Sequence, residues 1–115
     1  MAFRNLRSWQ ESIDLAVLIF LVSDHFPERE QRGLTALMRK SATKLAIDIG
    51  ERRFRYARGR AVELDEQLEV AMHLGFLSRE TAAMLAVRAA KIGKRLERLM
   101  EHALPRVDTA WPIAA

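Results

Sequence analysis

Residues 78–105 read SRETAAMLAVRAAKIGKRLERLMEHALP. Ser78 is placed to accept hydrogen bonds from first-turn N–H groups, and Glu80 puts negative charge where the helix dipole favours it. Leu85, Ala89, Ile92, Leu96, Leu99 and Ala103 then follow an a/d heptad rhythm. One long helix therefore presents a continuous apolar stripe, and Pro105 is expected to end it. Such a stripe needs partner helices to cover it.

The rest of the chain supplies three. The first begins at Ser8, with Glu11 three residues later in the pattern of a capping box. Trp9, Ile13, Ala16, Val17 and Phe20 recur at helical spacing. It stops near Phe26-Pro27, because a residue before proline is pushed out of the α region. Between residues 15 and 22 the helix is apolar around most of its circumference. Leu15, Leu18, Ile19, Leu21 and Val22 lie outside the first stripe, which points to contact with a second subunit. The second helix runs from Gly33-Leu34 to about Arg52, with Leu34, Met38, Ser41, Ala42, Leu45 and Ile49 on one face. The third runs from about Gly59 to Leu74, with a core stripe of Leu64, Leu68, Ala71 and Met72 and acids at Glu63, Asp65, Glu66 and Glu69. Gly75-Phe76-Leu77 turns the chain into the fourth.

Four amphipathic helices with short joins predict an all-α fold, an antiparallel up-down four-helix bundle over residues 1–104. Residues 105–115 read as an irregular tail in which Trp111 packs against the rest. The length of 115 residues fits one domain. Half the residues are hydrophobic, and five Gly and three Pro are too few for a turn-rich β-sandwich or barrel. The longest apolar run, Leu15 to Val22, is far short of the ~20 residues that span a membrane. No membrane association is expected, and a cytoplasmic location is.

The chemistry this excludes is broad. With no Cys there are no disulfides, thiol nucleophiles or thiolate metal sites. The Glu-x-x-His motif of di-iron bundles is absent, since Val22, Val70 and Leu99 stand three residues before His25, His73 and His102. Glu69 and His73 make a surface helix pair with too few ligands for a metal. No phosphate-binding glycine loop is present. No residue nominates itself for catalysis, so the chain reads as a non-enzyme with no cofactor and no metal.

Charge is the positive signal. The net charge is +4, and Arg supplies fifteen of the nineteen cations. Residues 52–60 read RRFRYARGR, placing Arg52, Arg53, Arg55, Arg58 and Arg60 around Phe54 and Tyr56 with no acid among them. Arginine for phosphate and aromatics for stacking is the composition of single-strand nucleic-acid contacts. The competing reading packs the aromatics into the bundle end and leaves the arginines solvated. Either way the cluster is expected at the turn between the second and third helices. Arg88, Lys91, Arg95 and Arg98, spaced 3, 4 and 3, share one face of the fourth helix. They suit nucleic-acid phosphates, or ion pairs with the acidic third helix. The partners this leaves open are the chain itself, RNA or DNA, and another protein for which the bundle is a scaffold.

Several segments together are distinctive: Phe3-x-x-Leu6-x-x-Trp9-Gln10, Phe26-Pro27-x-x-Glu30-x-x-Gly33-Leu34, Met38-Arg39-Lys40-Ser41-Ala42, Asp48-Ile49-Gly50-Glu51, Glu63-Leu64 and Leu74-Gly75-Phe76-Leu77. On them the chain resembles the 23S rRNA intervening-sequence family of small bacterial four-helix-bundle proteins, over about residues 3–100. The resemblance implies a homopentamer with a channel or funnel along its five-fold axis. It also implies a relation to the basic pentameric accessory protein of diversity-generating retroelements, which works with a reverse transcriptase and nucleic acid. It implies no enzymatic activity. The chain departs from the family's usual Asn-Ile-Ala-Glu-Gly: Asp48 stands for the Asn and Arg52 for the Gly. The stretch between the second and third helices is also shorter than usual, by about three helical turns.

Overall fold

The computed structural model describes the backbone of residues 6–114 and the side chains of residues 6–102. Helix α1 spans Arg7–Ser23, α2 Leu34–Gly50, α3 Phe54–His73 and α4 Arg79–Ala114. A single 3-10 turn, Glu28–Glu30, interrupts the join between α1 and α2. Each helix packs on its neighbours in the chain, and α4 closes the ring against α1. The result is the antiparallel up-down four-helix bundle that the periodicity predicts. The motif residue Phe3 and the side chain of Trp111 lie outside the described residues.

The core follows from the stripes. Met38, Leu45 and Ile49 of α2, Leu64 and Leu68 of α3, and Leu85, Ile92 and Leu96 of α4 are all but inaccessible to water. Burying such a side chain contributes about 1.5–3 kcal/mol. Ala42, Ala57, Ala61, Ala71 and Ala89 lie among them in the same cluster and let the backbones approach.

Helix α1 corrects the sequence reading. Its inner face is Ser8, Ser12, Leu15, Ile19 and Ser23, all buried. Leu15 and Ile19 are completely enclosed within a single chain, so neither is available to a second subunit. Leu18 and Val22 are half-buried against the same core, and of the five residues assigned to an interface only Leu21 is open, at 57%. The stripe expected inside turns outward instead, with Ile13 at 37%, Val17 at 53% and Phe20 at 42%. The physical reason is that residues 15–22 are apolar all round, so hydrophobicity alone leaves the rotation of the helix undetermined. Small serines won the inner positions; the Ser12 and Ser23 hydroxyls donate to the carbonyls of Trp9 (2.6 Å) and Phe20 (3.2 Å) within the helix. The capping box is also absent. Helix α1 starts at Arg7 behind Leu6 with no side-chain cap, and Glu11 is engaged by Arg95 of α4.

The joins explain the motif segments. Glu30 turns back to accept a hydrogen bond from the Leu34 N–H at 3.2 Å, capping α2. A Cβ on Gly33 would stand 2.7 Å from that carboxylate oxygen, so glycine keeps the cap in place. Phe26 and Phe76 meet with ring centroids 5.4 Å apart, tying the α1–α2 join to the α3–α4 join. Arg39 reaches from α2 to the end of α1. It donates to the Ser23 hydroxyl, the Phe20 carbonyl and Asp24, and lies 4.8 Å from the Phe20 ring centre. A cation there favours the negative end of the helix dipole. Ser78 caps α4 as expected, accepting from the Thr81 N–H at 3.0 Å.

Helices α2 and α3 end alike. At α3, the N–H of Phe76 reaches the Ala71 carbonyl and that of Gly75 the Met72 carbonyl, both at 2.9 Å, with Gly75 at φ +80°. This is a Schellman termination, which favours glycine at its left-handed position. At α2, Arg53 reaches Asp48 (2.8 Å) and Arg52 reaches Ile49 (3.0 Å), and the left-handed residue is Arg52, at φ +60°. The tight reversal lets α3 begin at Phe54, five residues before the start read from the sequence. Helix α4 differs at its far end. It continues past Pro105 to Ala114, so the segment expected to be irregular is helical. An internal proline forfeits one hydrogen bond and costs about 3 kcal/mol, a penalty that opposes a helix without forbidding it.

A non-glycine residue in the left-handed region costs about 1 kcal/mol. Arg52→Gly should therefore raise stability by about 1 kcal/mol, and Gly75→Ala, whose added Cβ meets nothing within 4 Å, should lower it by a similar amount. Urea unfolding of the two variants beside the parent chain reads both shifts.

Candidate nucleic-acid interface

The reversal at Arg52 decides where the first basic cluster lies. Phe54 to Arg60 form the opening turns of α3, and only Arg52 and Arg53 stand in the turn itself. This corrects the expectation that the whole cluster is a loop. It also separates the two aromatics: Phe54 packs against the core, whereas Tyr56 is 67% exposed. The Arg53 guanidinium carbon lies 5.7 Å from the Tyr56 ring centre.

The arginines divide by what holds them. Asp48, on the last turn of α2, is 2% exposed and is the buried carboxylate of the described residues. Arg53 bridges to it at 3.1 Å and to Glu51 at 3.3 Å. Arg60 approaches it at 3.7 Å and pairs with Glu63 at 3.2 Å. Glu63 in turn accepts from Ser41, to which Gln67 donates, so the polar network runs along the α2–α3 seam. Arg58 pairs with Glu97 of α4 at 3.1 Å. Arg52 and Arg55 are exposed and make no ion pair among the described residues.

The second cluster divides in the same way. Arg95 bonds Glu11 at 2.8 Å, and Lys91 stands 4.0 Å from it. The acid that meets the α4 stripe thus comes from α1, not from the acidic third helix. Arg88 and Arg98 make no ion pair among the described residues. Lys94 is exposed and shares a shallow cleft with Arg58 and Glu97.

The sequence did not show that the two clusters meet. Because the helices alternate in direction, the start of α1, the end of α2, the start of α3 and the later turns of α4 share one end of the bundle. Arg7, Arg95 and Arg98 line one small pocket there, and Arg58 reaches α4 beside Lys94. Arg52, Arg55 and Arg98 are exposed at this end and make no ion pair among the described residues, and Tyr56 is exposed as well. Arg88 lies earlier on α4, away from this end, beside Met84 and Val87. The pattern that found both clusters could not place them together, because residues 52–60 and 88–98 are joined only by tertiary contact.

A different surface carries the apolar exposure. Trp9, Ile13, Ala16 and Val17 of α1 and Thr43, Ala46, Ile47 and Gly50 of α2 line a groove of about 550 Å³. Among the described residues there is no group of three or more acids and histidines placed to hold a metal ion. The pair foreseen on α3, Glu69 and His73, lies at 3.2 Å on the exposed surface. No helix there is long and apolar enough to cross a membrane.

The Asp48 network has a measurable asymmetry. Removing both guanidiniums (Arg53→Ala with Arg60→Ala) strands a buried charge and should cost about 3 kcal/mol or more in urea unfolding. Asp48→Asn removes the charge instead and should cost less than about 1.5 kcal/mol.

Comparison with curated proteins yields no match to the chain. The family model described as 23S rRNA-intervening sequence protein matches residues 4–98, which takes in α1 to α3, α4 as far as Arg98, and both basic clusters. The chain therefore belongs to the 23S rRNA-intervening sequence protein family.

Proposed function

We propose that this protein is a non-enzymatic, cytoplasmic nucleic-acid-binding bundle that engages single-stranded RNA or DNA at its basic end. The observation that carries this is the convergence there of Arg52, Arg55 and Arg98, free of ion pairs among the described residues, with the exposed ring of Tyr56. Their chemistry gives phosphate contacts and one stacking face, so binding would be strong in charge and weak in sequence preference. Arg53, Arg58, Arg60, Lys91 and Arg95 are committed to carboxylates and would contribute mainly by holding this surface in shape.

A salt titration of binding to labelled single-stranded RNA tests this, with nuclease-treated protein. Affinity should fall steeply with salt. Arg52→Gln with Arg55→Gln should weaken binding and reduce the log–log slope by about 1.4, the value for two phosphates on a single strand. Absence of binding at low salt would sink the proposal and leave the charge to assembly.

The alternative is a protein-interaction scaffold, and the apolar α1–α2 groove favours it. The same groove supports the homopentamer that the family resemblance implies, since the outward stripe of α1 is an apolar surface that a single chain leaves uncovered. Light scattering should give five times the mass of one chain at micromolar concentration. Val17→Asp should reduce it to one without loss of helicity; a monomeric parent chain would contradict the assembly.

A further inference from the structure

Helix α4 is too long for its own bundle. It has 36 residues against 20 in α3. At 1.5 Å per residue it spans about 54 Å, which is the longest dimension of the molecule. Two ion pairs fix its register, Arg58–Glu97 against α3 and Arg95–Glu11 against α1. Both partners run antiparallel to α4. Phe54, four residues before Arg58, is therefore level with Glu101, and Arg7, four before Glu11, with Leu99. Residues 103–114 run past the starts of both helices by about 18 Å. The apolar stripe does not stop where the bundle does. Leu85, Ala89, Ile92 and Leu96 are buried in the core, and Leu99 packs against it. The same spacing continues through Ala103, Val107, Ala110 and Ala114, with Leu104 and Trp111 beside it. Arg106 and Asp108 are the only charges in this segment. A continuous apolar face on a helix needs something to cover it, and α1 and α3 both begin too late to do so.

The α1–α2 groove is the matching surface. Trp9, Ile13, Val17, Ala46 and Ile47 line it, and its accessible lining is almost all carbon. Val17 and Ile47 are about half exposed. The groove runs alongside the bundle, and α4 does not touch α2 among the described residues. The end of α4 continues in its own direction, away from the groove of the same chain. We propose that residues 103–114 of one copy lie in the α1–α2 groove of a second copy, anchored by Leu104, Val107 and Trp111. These three stand at i, i+3 and i+7, the spacing with which an amphipathic helix seats in an apolar groove. Segment and groove are different surfaces, so each copy both gives and receives, as a closed ring requires. The exchange covers two apolar surfaces that one chain leaves open. It deepens the assembly reading of the groove and rests on it, and it is independent of nucleic acid.

The chain has no cysteine, so chosen positions can be linked selectively. Two full-length variants, Val17→Cys and Ala110→Cys, are mixed, treated with a short bismaleimide and mapped by mass spectrometry. In that mixture a link from position 17 to position 110 joins two chains by necessity. It should exceed the links of either position to itself. Light scattering on Trp111→Asp should show loss of the assembly to the mass of one chain, with helicity by circular dichroism unchanged. Thr109→Asp, on the opposite face of the same segment, is the control and should leave the mass unaltered. Links from 17 to 110 that form only in a chain carrying both substitutions would place the segment on its own bundle and overturn the exchange. Links of position 17 to itself alone would mean that two grooves face each other, which also overturns it. If Trp111→Asp keeps the assembly while Val17→Asp dissolves it, the segment is overturned as occupant and the role of the groove in assembly stands. A parent chain with the mass of one copy overturns both.

Discussion

A single buried carboxylate organises one end of this bundle. Asp48 lies at the close of α2, 2% exposed, and a charge so placed carries a desolvation penalty of several kcal/mol unless it is paired. Two guanidiniums meet it, Arg53 from the turn and Arg60 from α3, and the Arg53 N–H closes onto the Asp48 carbonyl at 2.8 Å. The turn is thereby pulled tight and Arg52 is carried into the left-handed region. Helix α3 starts at once and runs back along α2. Asp48 consumes two arginines of a cluster that looked uniform, and the geometry it imposes leaves Arg52 and Arg55 facing outward. The arginines that meet this carboxylate are not the ones left without an ion pair among the described residues.

The opposite end is built on different terms. Glu30 caps α2, Arg39 satisfies the end of α1, Gly75 terminates α3, and Phe26 packs on Phe76. Each of these residues except Arg39 meets a local backbone or packing demand of a join, and together they account for three of the six distinctive motif segments. That end is a structural clasp. The two ends thus differ in how their turns are held, by a buried carboxylate with its arginines at one and by a cap, a glycine termination and packed rings at the other. The apolar groove lies between the first half of α1 and the second half of α2, nearer the basic end than the clasp.

Helix α1 shows where periodicity runs out. A stripe is informative when the other faces are polar, as on α4, where Leu85, Ala89, Ile92 and Leu96 were placed correctly. On α1 the bulky candidates were Trp9, Ile13, Val17 and Phe20, yet the inner face went to Ser8, Ser12, Leu15, Ile19 and Ser23. A rotation by one residue separates the two solutions, and hydrophobicity scores both well. Close packing decided, because serines let α1 lie near its neighbours while tryptophan and phenylalanine would hold it away. The run of serines at 8, 12 and 23 was the available clue. Glu11 misled in the same way: its spacing from Ser8 imitates a cap, but Arg95 lies 84 residues further along the chain and no local pattern records it.

Local chemistry was therefore legible and long-range chemistry was not. From the sequence alone follow four helices, the approximate limits of the first two, the Ser78 cap, the glycine turn at 75, the all-α bundle and the basic character of two segments. These depend on residues within a few positions of one another, where spacing and propensity act directly. Only the tertiary structure decided which side of α1 faces inward, which carboxylate each arginine meets, and that both clusters share one end. Those outcomes depend on contacts between helices, whose energies are set by shape and desolvation across the bundle.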